Sequence, residues 1–63
     1  MENWSSHIEA AKQGNAEAQF RLGSYYDNGD GVDVDKFEVV KWYRMAAKQG
    51  QEDARDELQR LGF

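Results

Sequence analysis

The feature that most constrains this chain is a repeat inside it. Ala10-Ala-Lys-Gln-Gly14 recurs letter for letter as Ala46-Ala-Lys-Gln-Gly50. The correspondence continues past the glycine, pairing Glu17 with Asp53, Ala18 with Ala54 and Leu22 with Leu58 at a constant offset of 36 residues. Five consecutive identities in a chain of 63 residues are hard to obtain by chance. Periods of about 20–50 residues mark stacked supersecondary units, each covering the apolar face of its neighbour. The chain therefore folds as one and a fraction such units or not at all.

The unit is helical. There is no proline, apolar residues recur at helical spacing, and glycines at 14, 29, 31, 50 and 62 punctuate the chain, which predicts four helices. The first begins between Asn3 and Ser6 and ends near Gln13. Ser6 and Glu9 have capping-box spacing, Ile8 and Ala11 form the inner face, and Gly14 closes the helix. Asn15 caps the second, which runs to about Asn28 with Ala18, Leu22 and Tyr25 or Tyr26 as its core stripe. Gly23 sits inside it, where glycine costs about 1 kcal/mol relative to alanine, so another helix is expected to approach closely there. After the loop Gly29-Asp-Gly-Val-Asp-Val34, Asp35 and Glu38 repeat the capping-box spacing. They open a third helix to about Gln49, with Val39, Trp42 or Tyr43, and Ala46 or Ala47 on its buried side. Gly50 ends it. Glu52 and Asp53 place negative charge in the first turn of a fourth helix, where the macrodipole favours it. The expectation is one all-α domain over residues 1–63, built of antiparallel helical hairpins. Residues 1–14 close a preceding unit, 15–50 form a full unit, and 51–63 supply a terminal capping helix.

Read together, Ala18-Gln-Phe-Arg-Leu22-Gly23-Ser-Tyr-Tyr26, Gly29-Asp-Gly31-Val32, Asp35 and Trp42-Tyr43-Arg-Met-Ala46-Ala47-Lys-Gln-Gly50 resemble the Sel-one-like repeat. That family is a relative of the tetratricopeptide repeat with a longer and variable unit. The resemblance covers about residues 10–62, or about one and a half repeats. It departs from the family in three places. Lys36-Phe37-Glu38-Val39 replaces the usual aromatic-then-alanine start of the second helix of the unit, with Phe37 supplying the displaced aromatic. Asp33 stands where a proline often follows the loop valine. Gln59 stands where the next Leu-Gly would be. The resemblance implies an α/α solenoid fragment that scaffolds protein–protein contacts. It places Glu17, Phe20, Ser24, Asp27 and Asn28 toward a binding groove.

Catalytic and metal chemistry finds little footing. Asp27 and Glu38 stand at the first and twelfth positions of a possible calcium loop. Gly29, Gly31 and Val32 then occupy positions where ligands and an invariant glycine belong. His7, the only histidine, lacks partners at ligand spacing, and Ser5, Ser6 and Ser24 have no base placed by sequence. No cofactor, metal site or catalytic residue is expected. Twelve acids against eight bases, a net charge of −4, argue against direct nucleic-acid binding. No apolar run approaches the ~20 residues of a membrane helix, and a cytoplasmic location is the default. The leading expectation is a non-enzymatic interaction module whose partner is another protein or peptide, or a second copy in a homo-oligomer that covers unpartnered repeat faces. The alternative is a small acidic inhibitor or immunity-type protein that covers a basic target through residues 27–38, with Asp30 and Asp33 among its contacts. Phe20 lies off the Ala18–Leu22–Tyr26 stripe. It is either an exposed aromatic anchor or a residue packed against the first helix.

Overall fold

A computed structural model of the chain describes residues 4–29 and 32–62, with side chains described from His7 onward. It contains helices α1 (Trp4–Lys12), α2 (Ala16–Asn28), α3 (Lys36–Lys48) and α4 (Glu52–Leu61). Each packs on its neighbours in the chain. Turns of three residues join α1 to α2 and α3 to α4, short enough to return the chain antiparallel as helical hairpins. The proposed cap at Ser6, together with Asp30 and Gly31, lies outside the described side chains and residues.

The repeated letters produce a repeated turn. Gly14 and Gly50 take φ of 98° and 91°, a left-handed conformation that suits glycine. Beyond them, the Asn15 N–H donates to the Ala10 carbonyl at 3.1 Å and the Gln51 N–H to the Ala46 carbonyl at 3.1 Å. These are the six-to-one bonds of a Schellman ending. The next helix is then capped in the same manner twice. The Asn15 side-chain oxygen accepts from the Ala18 N–H at 3.0 Å, and that of Gln51 from the Ala54 N–H at 3.1 Å. Sequence identity at an offset of 36 thus becomes identity of backbone path.

Two apolar clusters follow from the stripes. Ala11, Ala18, Leu22 and Trp42 join α1, α2 and α3, while Val39, Tyr43, Ala46, Ala54 and Leu58 join α3 and α4. Tyr26 packs against both. Both alternatives on α3 are resolved as core, since Trp42 and Tyr43 are each buried. Gly23 explains itself here: a Cβ at that position would lie 2.6 Å from Cδ1 of the Tyr43 ring. The glycine lets the α3 tyrosine lie on the α2 backbone. The one buried polar side chain among the described residues, Gln19, ties the elements together. Its amide nitrogen donates to the Ala11 carbonyl at 3.1 Å, and its oxygen accepts from Gln49 at 2.9 Å.

Two local expectations are corrected. Asp35 does cap α3, accepting from the Phe37 and Glu38 N–H groups at 3.0 and 3.2 Å. Glu38 does not reach back to complete the box. It pairs with Lys41 at 2.9 Å, one helical turn on. Phe37 does not supply the displaced aromatic either, for it is 90% exposed. At about 100° per residue, position 37 falls opposite the Val39–Trp42–Tyr43–Ala46 stripe, so the fold that buries that stripe must expose Phe37.

Candidate protein-binding surface

The outer face of α2 is amphiphilic because its core stripe is narrow. With Ala18, Leu22 and Gly23 turned inward, Glu17, Phe20, Arg21, Ser24, Tyr25 and Asn28 are left along the other side. Together with Asp53 of α4 they line a groove of about 490 Å³. Four of the residues expected to face a partner, Glu17, Phe20, Ser24 and Asn28, therefore share one surface. The spacing rule reaches the others as well: Arg21 and Tyr25 follow Glu17 at i+4 and i+8. Asp53 is the 36-residue counterpart of Glu17 and is brought in by α4.

The side chains in the groove hold one another. Glu17 pairs with Arg21 at 3.0 Å and accepts from the Gln51 amide at 3.1 Å. The Asn28 amide donates to the Ser24 hydroxyl at 3.4 Å. Phe20 forms the floor. It is half-buried and stacks on Tyr43 with ring centroids 5.6 Å apart, so it packs against α3 rather than against α1. Beneath it, burial pushes the Tyr43 phenol above its ordinary range, and a hydrogen bond with Ser24 offsets part of that rise. At the far edge the His7 ring lies 5.4 Å from Tyr25.

The remaining candidates lie elsewhere. Asp27 turns toward α4 and pairs with Arg60 at 2.7 Å. Asp33 is exposed in the segment before α3, and Asp30 lies outside the described residues. Of the five acids between 27 and 38, Asp27, Asp35 and Glu38 have internal partners. The groove offers donors, acceptors, both signs of charge and one aromatic floor. Ser24, its only hydroxyl besides Tyr25, faces a phenol and an amide rather than a base. Among the described residues no group of three or more His, Asp or Glu is placed to hold a metal ion. Among them also, no helix is long and apolar enough to cross a membrane.

The Sel1 repeat family model matches residues 16–51, the span from the start of α2 to the cap of α4. The chain belongs to the Sel1 repeat family. Repeats of this family mediate protein–protein interaction. Its relatives include the mouse DAP3-binding cell death enhancer 1, 40% identical over 52 residues that make up 82% of this chain and 10% of that protein. Another is the chitin synthase regulator SKT5 of Saccharomyces cerevisiae, 44% identical over 48 residues, 76% of this chain and 7% of that one. The chain thus spans a tenth or less of the length of these relatives. No solved structure matches it significantly.

Proposed function

We propose that this Sel1 repeat is a non-enzymatic interaction module that receives a segment of a partner protein in the α2 groove. The carrying observation is the convergence of Glu17, Phe20, Ser24 and Asn28 with Arg21, Tyr25 and Asp53 on one groove floored by the Phe20–Tyr43 stack. Groove polar groups fix the register of a bound segment, and the aromatic floor supplies contact area at little cost in side-chain entropy. Relatives named as a binding protein and as a regulator are consistent with a module of this kind. The acidic-inhibitor alternative draws less support. Asp27, Asp35 and Glu38 already serve Arg60, the α3 cap and Lys41, which leaves few acids of that segment for a basic target.

The test is selection of a displayed random-peptide library on the immobilised protein, followed by Ser24→Arg and Asn28→Arg. Both substitutions fill the groove; Ser24→Arg also removes the hydroxyl that hydrogen-bonds Tyr43, so circular dichroism verifies that each variant is folded. Selected peptides should lose at least about tenfold in affinity, roughly 1.4 kcal/mol, and Gln59→Arg on exposed α4 should leave them bound. Selection of no peptide, or of peptides indifferent to both groove substitutions, would overturn the reading.

A further inference from the structure

The face of α3 opposite the core carries chemistry that the α2 groove does not use. Phe37 is 90% exposed and Met45 38% exposed. With half-buried Val40 they line an open, mainly apolar depression of about 760 Å³. The rest of its lining is basic: Lys36, Lys41, Arg44 and Lys48. Half of the eight bases of an acidic chain thus stand on one helix face, and among the described residues no acid lines the depression. Lys41 is paired with Glu38. Among the described residues, Lys36, Arg44 and Lys48 have no ion-pair partner. At about 100° per residue, Phe37, Lys41, Arg44 and Lys48 fall within an arc of about 60°, with Val40 and Met45 about 40° beyond its two edges, so apolar and basic groups alternate across one broad helix face.

From this face we infer that α3 is a second docking surface, for an acidic amphipathic helix of another protein. Charge complementarity selects the partner. A helix with apolar residues at i, i+3 or i+4 and i+7 lays them on Phe37, Val40 and Met45. Glutamates or aspartates interspersed with those apolar residues meet Arg44 and Lys48, and one at the edge meets Lys36. An α3 of 13 residues offers about 20 Å of length, enough for roughly three turns of such a helix. A second copy of the chain does not fit. A two-fold contact through α3 sets four bases against four bases, and like-charge juxtaposition disfavours it. The acidic helix α4 has Ala54, Leu58 and Leu61 packed toward α3, so its exposed side has no apolar stripe to offer. An anionic bilayer fits poorly as well. Asp33 and Asp35 are exposed just before Phe37 and would be carried onto the anionic surface with it.

The experiment uses a displayed library of amphipathic helical peptides, apolar at one stripe and randomised among acidic, basic and neutral residues on both flanks. Selection on the whole chain should enrich acidic flanks. A synthesised selected peptide should bind more weakly in high salt and lose at least about tenfold in affinity on Phe37→Ala. Arg44→Glu with Lys48→Glu should abolish binding, and Ser24→Arg in the α2 groove should leave it unchanged. All four positions are solvent-facing or groove-lining, and circular dichroism verifies that each variant is folded. Enrichment of neutral or basic flanks, no enrichment at all, or binding indifferent to Phe37 and Arg44 would overturn the inference. So would binding to phosphatidylcholine–phosphatidylserine vesicles that the same substitutions abolish. Loss on Ser24→Arg but not on Phe37→Ala would place the selected peptides in the α2 groove, which supports that site and refutes this one.

Discussion

Replacing Gly23 with alanine sets two opposed terms against each other, and the geometry says which one wins. In the middle of a helix alanine is favoured over glycine by about 1 kcal/mol. Against that, the added Cβ would stand 2.6 and 2.7 Å from Cδ1 and Cε1 of Tyr43. Ordinary carbon contacts lie at about 3.5–4.0 Å, so the ring must retreat by about 1 Å. It has little room, being 1% exposed and stacked on Phe20. Overpacking of this kind costs about 1–3 kcal/mol, occasionally more. The ring is aromatic and held on both sides, so the upper part of that range applies. The net loss is about 1–2 kcal/mol, or a fall in Tm of roughly 4–15 °C for a domain of this size. Thermal unfolding followed by far-UV circular dichroism measures it. Gln59 is the 36-residue counterpart of Gly23 and is exposed on α4. Gln59→Ala should therefore leave Tm unchanged or slightly raised, which isolates the contact from helix propensity. Shortening the opposing side chain with Tyr43→Leu should make Gly23→Ala less harmful by about 1 kcal/mol in a double-mutant cycle. A Gly23→Ala protein at least as stable as the parent would refute the argument that this glycine exists to admit the tyrosine.

Two further substitutions probe the buried polar groups. Gln19→Glu places a carboxylate against the Ala11 carbonyl, an acceptor that now meets a second acceptor; burial and that contact raise its folded pKa. Stability is then present below its unfolded value of about 4.3 and lost as pH rises through the higher folded one. The Tm deficit relative to the parent should be large at pH ~7 and shrink toward pH ~4, and a deficit independent of pH would contradict the burial of Gln19. Tyr43 predicts the opposite end of the scale, since its phenol is raised above 10.0 by burial. Its contribution is intact below that pH and fades as pH climbs through the folded value, so the parent should lose stability above pH ~10 more steeply than Tyr43→Phe.

The helices and their ends were legible because their rules are local. A glycine after Gln13 or Gln49, a side-chain acceptor at Asn15 or Asp35, and a stripe such as Val39–Trp42–Tyr43–Ala46 each act within a few residues. What escaped was settled over distance. Gln19 bonds to residues 8 and 30 positions away, and nothing in its neighbours distinguishes it from a surface glutamine. Glu38 had two partners in reach, and Lys41 on the next turn won over the N–H of the cap. The family resemblance casts Phe37 as the displaced aromatic of the unit, whereas its angular position on α3 exposes it. The groove was half legible. Glu17, Phe20, Ser24 and Asn28 share a helix face by spacing alone, but Asp27, one position from Asn28, turns about 100° away and meets Arg60. The role of Phe20 as floor depended on Tyr43 arriving from α3.

The same offset that reveals the repeat bears on self-association. If copies stacked in register, α4 of one chain and α1 of the next would form a composite hairpin, occupying the places of α2 and α3. The contact at the centre of the full unit is Tyr43 lying on Gly23. Its composite counterpart brings together His7, which aligns with Tyr43, and Gln59, which aligns with Gly23. An imidazole replaces the buried phenol, and a glutamine side chain fills the space that glycine leaves open. Beside it, Ser6 aligns with Trp42, so the largest aromatic of the α1–α2–α3 cluster has no equivalent. The apolar area that stabilises the hairpin is therefore missing from the composite one, while the two-fold alternative through α3 is opposed by its bases. The chain should be monomeric, with one-chain mass by light scattering and a Tm independent of protein concentration. A midpoint that rises with concentration, together with a mass above one chain, would refute this argument.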